Sequence, residues 1–169
     1  MENLAQNKNI IAGRNIYKPL GENPNKYRTF GEALLRHLIQ RKGLYFINNI
    51  LDINNILSIK TFCSCGSYNL KKISIPIYFS VVKPQEKYKG IGKDVINIEN
   101  LPIFKDQEKS FGSTSSDSEK AMITKNTKEI LTCIFSFDGD NTLEETLNYT
   151  KKLMSKLANG KNLQLGIVK

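Results

Sequence analysis

The sequence contains no tryptophan, a single histidine, His37, and three cysteines, Cys63, Cys65 and Cys133. An odd number of cysteines, two of them one residue apart, does not make a disulfide framework. Structural zinc sites need four ligands, usually two to four residues apart, and the sequence does not supply them. We therefore expect buried thiols, no bound metal and no other cofactor.

Long apolar runs are also missing. No stretch approaches the roughly 20 apolar residues that a membrane span needs, and the start, MENLAQNKNIIAGRN, lacks the apolar core of a secretory signal. With one histidine in the chain, a serine–histidine triad would need His37 to lie beside a distant serine. These absences predict a cytoplasmic protein without a membrane partner.

The residues that are present predict a folded, basic domain. The 169 residues are 40% hydrophobic, which is enough for one domain with a core. Lys and Arg number 25 against 16 Asp and Glu, so the formal net charge is +9. A basic balance favours nucleic-acid partners. The lysines are scattered, however, so charge alone leaves nucleic-acid binding open.

Periodicity and turn residues predict an α+β domain. The pairs Thr29–Glu32 and Thr142–Glu145 are capping boxes, and each is followed by an apolar stripe, so they predict helices. Runs of branched residues predict strands. We expect helices packed on a mixed or antiparallel sheet in one domain. That domain would cover residues 27–158, after an irregular segment 1–26 and before a tail 159–169. The expected helices are 29–43, 49–60 and 142–158, the expected strands are 73–82, 94–100 and one from Ile130, and 63–69 and 86–94 are expected turns.

Three motifs have a chemical and a structural interpretation. Asp138, Asp140 and Thr142 have the D-x-D-x-T spacing of dehalogenase-like phosphatases, but no second acidic cluster follows to bind magnesium. We interpret them as a strand-to-helix turn. The GIGK string at 90–93 is an incomplete phosphate loop, and we expect a hairpin turn. The GSTSSDSEK string at 112–120 is either a solvated loop or a site for a phosphate or a carbonyl oxygen.

The string INNILDINN, residues 47–55, places short amides among apolar residues. Such amides compete with the backbone for hydrogen bonds and favour caps over helix interiors. We expect Asn48 and Asn49 to end one segment and open a helix through local side-chain bonds. Asp52 and Asn55 would then fix that helix against neighbouring backbone.

The same region resembles the tRNA-binding editing domain of phenylalanyl-tRNA synthetase beta chains. Asn48, Asn49, Asp52 and Asn55 match the family pattern in type and spacing, and Tyr68 matches its aromatic position. The strings that match in order are TFGEALLRHL, Gly43, INNILDINN and FCSCGSYN, and FGSTSSDSEKAMITKNTKEIL is similar to a later family segment.

The resemblance implies a standalone relative of that domain, which hydrolyses tyrosine wrongly attached to phenylalanine tRNA. It implies binding of the aminoacylated 3′ end of tRNA and hydrolysis of a mischarged tRNA in trans. Residues 62–69 and 112–119 would flank the pocket. The implied catalytic residues are Asp117 and Glu119, and the implied substrate contacts are Asn48, Asn55, Ser67, Tyr68 and Ser115. The implied partner is tRNA or aminoacyl-tRNA, with a free amino acid or small molecule as an alternative, and no DNA is expected.

Several positions depart from the family pattern. The motif histidine of the family falls on Gly66, its G-Q-P string becomes Phe62-Cys63-Ser64, and a threonine becomes Asn54. A second hypothesis is therefore a non-catalytic module that binds tRNA or a small molecule. A third is a scaffold for another protein, which would need an exposed apolar patch.

Overall fold

The computed structural model describes residues 4–24, 26–82, 84–139 and 142–168. It shows a single α+β domain, as expected from the sequence. The helices are α1 (Lys8–Asn15), α2 (Phe30–Ile39), α3 (Asn49–Thr61) and α4 (Leu143–Ala158); the strands are β1 (Ser64–Asn69), β2 (Tyr78–Val81), β3 (Lys87–Lys89), β4 (Val95–Asn97), β5 (Pro102–Lys105), β6 (Ser110–Ser113) and β7 (Ile130–Phe135).

The described strands pair in three small antiparallel sheets. β1 pairs with β7, so that Ser64 lies opposite Phe135 and Asn69 opposite Ile130. β5 lies between β2 and β6, and β3 and β4 form a hairpin. The predicted sheet is therefore antiparallel rather than mixed. The GIGK string lies in the β3–β4 turn as expected, but Lys87–Lys89, within the turn predicted over 86–94, form β3 through pairing with β4.

Three apolar clusters hold these layers together. α3 and α4 cover β1 through Ile53, Leu57, Cys65 and Met154. In the second cluster, Tyr17 of the amino-terminal segment packs with Val82, Tyr88, Ile98, Leu101 and Ile103. The third cluster contains Tyr68 of β1, Phe111 of β6 and Ala121. Burial of these side chains supplies the main stabilising term for the fold.

Asn48 caps α3 as predicted, whereas the predicted bond from Asn55 to neighbouring backbone does not appear among the described hydrogen bonds. Asn48 is the N-cap, and its Oδ1 accepts a hydrogen bond from the Leu51 N–H at 3.0 Å. Asn49 Nδ2 donates to the carbonyl oxygen of Leu157 at 3.2 Å, and Asp52 accepts from the N–H of Ile47 at 3.3 Å. The buried amide that joins α3 to the sheet is Asn54, which accepts from Ser67 Oγ at 2.8 Å.

The amino-terminal segment, predicted to be irregular over 1–26, contains a helix. Asn7 caps α1 by accepting from the N–H of Asn9 at 3.0 Å. Ile10 and Tyr17 are buried in the core. The prediction was wrong here because α1 has a weak apolar stripe and is held by tertiary contacts, which override local propensity. Residues 1–3 and 25 lie outside the described part, and the wider division into 1–26, 27–158 and 159–169 stays a prediction.

The predictions for two segments that contain strands also need correction. The CSCGSYN string, predicted as a turn, forms β1, and all six residues of that strand are buried. Its small polar residues favour turns locally, but β7 satisfies its backbone and α3 covers one face. The strand predicted over 73–82 starts only at Tyr78, after Pro76, which cannot donate to a ladder.

The capping-box predictions gave the correct starts of α2 and α4 but the wrong side-chain hydrogen bonds. Thr29 and Thr142 are the N-cap residues of α2 and α4, yet neither side chain makes a capping hydrogen bond. α2 ends at Ile39, before Gly43, and Arg41 adopts a left-handed φ of 59°. Asp138 is exposed and lies 3.4 Å from Lys8, and Asp140 falls outside the described residues. The described part of that motif is the expected strand-to-helix turn.

Candidate functional site

The two segments predicted to flank a pocket are in direct contact. Residues Ser113–Ser118, here called the serine loop, lie against β1. Ser64 Oγ donates to the carbonyl oxygen of Thr114 at 3.2 Å, and the same carbonyl accepts from the N–H of Phe30 at 2.6 Å. The start of α2 and the amino half of β1 therefore hold the base of the loop.

Tyr68 connects β1 to the serine loop through its hydroxyl group. The side chain is 1% exposed, and its hydroxyl donates to Asp117 Oδ1 at 3.0 Å. The ring lies in a slot between two glycines. A Cβ on Gly66 would lie 2.6 Å from the phenol oxygen, and a Cβ on Gly112 would lie 2.5 Å from it. The phenol therefore occupies the space that a side chain at position 66 would need.

Asp117 is a half-buried carboxylate that is bonded to neutral groups. Its Oδ1 accepts from the Tyr68 hydroxyl and, at 3.1 Å, from the N–H of Ser113. Loss of hydration raises the pKa of Asp117 to about 6, because these two bonds and the attraction of Lys93 only partly offset it. A group that titrates near 6 can act as a base or bind a cation close to neutral pH.

The serine loop is braced by its own hydroxyl groups. Ser113 Oγ accepts from the N–H of Ser115 at 3.2 Å and of Ser116 at 2.8 Å. Tyr88 donates its hydroxyl proton to the carbonyl oxygen of Ser116, and Lys93 Nζ donates to Ser116 Oγ at 2.9 Å. The loop is therefore ordered by its hydrogen bonds, with half-exposed residues at its tip and an ammonium group on its rim.

The predicted site residues fall into two groups. Asp117, Tyr68 and Ser115 belong to the same cluster, since Ser115 Oγ lies 3.4 Å from Ser113 Oγ. Glu119 follows the loop, is exposed and pairs with Lys89 at 3.0 Å. The roles assigned to these residues stay predictions.

The remaining predicted contacts lie away from the serine loop. Ser67 alternates with Tyr68 along β1 and is bonded on the other face, to Asn54 and to Thr132, both at 2.8 Å. Asn48 lies at the amino end of α3, and Asn55 is half-buried on the same helix. The seven predicted residues therefore do not line one pocket in the described structure. The role predicted for each residue stays untested.

Sequence reasoning missed Ser113, Tyr88 and Lys93, which brace the loop. Tyr88 and Lys93 come from the β3–β4 hairpin, about 25 residues before the loop, so no local pattern connects them to it. The available signal was the pair of glycines, Gly66 and Gly112, because each allows another group to approach the backbone closely.

A second buried carboxylate, Glu32, lies on α2 and is compensated by arginines. Arg14 binds it through two bonds, Nε to Oε2 at 2.9 Å and Nη2 to Oε1 at 2.6 Å, and Arg36 Nε reaches Oε1 at 2.7 Å. Burial opposes ionisation, but the bonds from Arg14 and Arg36 outweigh it and lower the pKa of Glu32. Glu32 thus acts in this ion cluster rather than in the predicted capping box.

The described residues indicate neither a metal site nor a reactive thiol. Within 4–24, 26–82, 84–139 and 142–168, no group of three or more His, Cys, Asp or Glu could hold a metal ion. Cys63 and Cys65 are buried and Cys133 is half-buried, as expected. Burial raises the pKa of Cys65 well above its usual value and that of Cys133 to about 12, so both are protonated near neutral pH. No helix of the described chain has the length and apolar character needed to cross a membrane.

The class of protein is shown by the sequence of the chain, compared with models of known domain families. The chain belongs to the B3/4 domain family, whose sequence model matches residues 12–158. That domain occurs in the phenylalanyl-tRNA synthetase beta chain. The match ends where α4 ends, and it includes Arg14 and Tyr17 in the amino-terminal segment. No curated protein gives a significant match to the chain.

Phe62, the C-cap residue of α3, adopts a left-handed φ of 59°, a conformation that favours glycine.

Proposed function

We propose that this chain binds the aminoacylated 3′ end of tRNA at the serine loop. The observation that carries the proposal is the 3.0 Å contact between Tyr68 and Asp117, which joins the two motif segments that the family resemblance assigns to the pocket. Membership of the B3/4 family and a net charge of +9 support it. Such a partner would place the protein in the cytoplasm.

The chemistry of Asp117 suits the amino group of an aminoacyl ester. Asp117 pays a desolvation cost in the unbound protein without a cation bonded to it, as its raised pKa of about 6 reflects. The ammonium group of the ester would supply that cation. Ser115 and Ser116, half-exposed at the loop tip, would offer hydroxyl groups to the ester and ribose oxygens. Lys93 on the rim would face the terminal phosphates.

Tyr68 limits where the amino-acid side chain could lie. Its phenol fills the slot between Gly66 and Gly112, so the ligand would approach from the outer side of the loop instead of entering beside β1. We therefore propose selectivity for the aminoacyl ester itself, with less discrimination between amino-acid side chains than a closed pocket would give.

The first test is an affinity comparison among three forms of one tRNA: aminoacylated through a non-hydrolysable amide, uncharged, and lacking its 3′-terminal nucleotides. The proposal predicts binding in that order, with the aminoacylated form about tenfold tighter than the uncharged form. In Asp117→Asn, which keeps an oxygen acceptor for Tyr68 and Ser113, the first two forms should bind alike. Equal affinity of all three forms for the wild-type protein would contradict the proposal.

A second candidate function is hydrolysis of the ester in trans. A base with a pKa of about 6 is favoured for this role because it is ionised at neutral pH and still accepts a proton readily. Asp117 would take a proton from water as the water oxygen attacks the ester carbonyl carbon. The carbon–oxygen bond to the ribose would then break, and the ribose oxygen would receive the proton, which leaves a free amino acid and an uncharged tRNA.

Hydrolysis is tested on a panel of mischarged tRNAs. Activity on one pair should disappear in Asp117→Asn and persist in the matched control Glu144→Gln, which removes an exposed carboxylate from α4. The rate should rise with pH through about 6 and then level off. Binding without hydrolysis would leave a non-catalytic module, and binding of a free amino acid alone would assign the loop to a small molecule.

A further inference from the structure

The outer face of α2 carries a cleft of about 280 Å³ that the proposed function does not use. It is lined by Arg28, Ala33, Arg36, His37 and Gln40. Except for Arg28, which precedes the helix, these residues recur every three or four positions, so they share one face of α2. Ala33 has the smallest side chain among them and leaves room for the cleft. Every lining residue except Ala33 is basic or polar.

Glu32 orients the arginines of this cleft and does not neutralise them. Arg14, Arg28 and Arg36 all lie within 4 Å of this one buried carboxylate, at 2.6, 3.9 and 2.7 Å. Among the ion pairs of the described residues, three guanidinium groups share this one negative charge, and two of them, Arg28 and Arg36, line the cleft. Arg36 bonds Glu32 through Nε, so its terminal nitrogens remain as donors toward the cleft.

One residue that lines the cleft, His37, has a buried polar atom for which the described residues offer no partner. Nε2 of His37 is buried, and no hydrogen-bond partner for it is present among the described residues. A buried nitrogen of this kind costs free energy unless a ligand or water satisfies it. Beside it, Tyr45 lies with its ring centroid 5.6 Å from that of His37 and is 71% exposed, and Phe46 is 81% exposed.

From this arrangement we infer that the α2 cleft is a second RNA-binding site, which takes a backbone phosphate between Arg28 and Arg36 and a neighbouring base on Tyr45 or Phe46. Forked guanidinium groups match phosphate oxygens, and exposed aromatic rings stack with unpaired bases. The inference rests on the proposed function only in taking the RNA to be tRNA.

The cleft is placed to extend the serine-loop site. The N–H of Phe30 contacts Thr114 of the loop, and Arg36 follows six residues later on α2. At 1.5 Å per residue this is roughly 9 Å, which a stacked strand covers in about three nucleotides at 3.4 Å each. A tRNA whose 3′ end lies on the loop could therefore place a nearby phosphate in the cleft.

The test uses tRNA that lacks its 3′-terminal nucleotides, so that it reports on the cleft and not on the serine loop. In Arg28→Gln/Arg36→Gln, affinity should fall about tenfold, and the slope of log K against log salt should become shallower by about 1.5. The matched control Lys151→Gln/Lys152→Gln removes the same charge from the exposed face of α4 and should change affinity less than twofold.

Gln40→Glu guards against loss of folding, because it adds a negative charge to the cleft without removing a partner of Glu32. It should also weaken binding, with an unchanged thermal midpoint. Unchanged affinity in both cleft variants would overturn the inference, and so would an equal loss in the lysine control. Binding to vesicles of anionic lipid that depends on the arginines, without binding to RNA, would assign the cleft to a membrane surface instead. If the three tRNA forms bound alike in the test of the proposed function, a loss of affinity in the cleft variants would still support this inference.

Discussion

Glu32 and Asp117 are both carboxylates that lose hydration in the fold, and the groups bonded to them are opposite in kind. Glu32, on α2, is fully buried and has arginines bonded to both oxygens, which lower its pKa. Asp117, in the serine loop, accepts from a tyrosine hydroxyl and one backbone N–H, and its pKa is raised to about 6. The two groups lie in neighbouring parts of one domain, since α2 contacts the loop through Phe30 and Thr114.

The difference separates a structural carboxylate from a candidate functional one. The charge of Glu32 is compensated inside the protein, so ionisation there supports the fold. The charge of Asp117 lacks a bonded cation in the described structure, so ionisation there costs stability that a cationic ligand could recover. This contrast underlies the assignment of Asp117, and not Glu32, to the ligand.

The largest expected effect comes from removal of the compensated carboxylate. Glu32→Gln should lower the free energy of unfolding at pH 7 by about 3 kcal/mol, because three partly exposed guanidinium groups lose the carboxylate that they share. Glu32 has a lowered pKa, so its contribution is fully present above its unfolded pKa and is lost as pH falls through its folded pKa. The difference in stability between the variant and wild type should therefore shrink as the solution is made acidic. Urea unfolding measures this. The exposed control Glu144→Gln should lose less than about 0.5 kcal/mol. A loss that small in Glu32→Gln would contradict the contrast between Glu32 and Asp117.

Asp117→Asn should show the opposite pH dependence. The raised pKa means that the bound proton stabilises the folded protein fully below about pH 4 and that this contribution is lost as pH rises through about 6. Asparagine cannot ionise, so the stability of the variant relative to wild type should increase by about 3 kcal/mol between pH 4 and pH 8. Urea unfolding at both pH values measures it. A relative stability that does not change with pH would mean that Asp117 is already compensated.

A smaller effect tests the slot that places Tyr68 against Asp117. Gly66→Ala would bring a Cβ to 2.6 Å from the phenol oxygen and should cost about 2 kcal/mol through overpacking. Gly166→Ala, where a Cβ meets nothing within 4 Å, is the matched control and should change stability by less than about 0.5 kcal/mol. Thermal unfolding in a Tyr68→Phe background should show a reduced cost, because the nearest atom is then missing. The same cost in both backgrounds would contradict the slot.

Elements with a strong periodic pattern were predictable from the sequence. The starts of α2, α3 and α4 and the strand from Ile130 follow from apolar stripes and cap residues. β1 was missed because serine, cysteine and glycine favour turns locally, while its burial depends on β7, α3 and the serine loop. α1 was missed because its stability comes from Ile10 and from contacts made after folding.

The candidate site was predictable only in part. The motif resemblance selected Tyr68 and Asp117, and the structure brings them into contact. Glu32 was interpreted as a capping residue because its partner Arg14 lies 18 residues away in a segment predicted to be irregular. The bracing of the loop by Tyr88 and Lys93 likewise depends on pairing that no local pattern encodes. Contacts between distant residues, and the pKa values that follow from them, needed the structure.

The most direct measurement is an NMR titration of the Asp117 side-chain carboxyl carbon, with and without a tRNA whose amino acid is attached through a stable amide. Without ligand, the account predicts a pKa of about 6. With ligand, the amino group should compensate the carboxylate and lower that pKa toward or below its ordinary value of about 4. A carboxyl that titrates near 4 in the free protein, or a pKa that binding leaves unchanged, would contradict the assignment of Asp117 to the aminoacyl group.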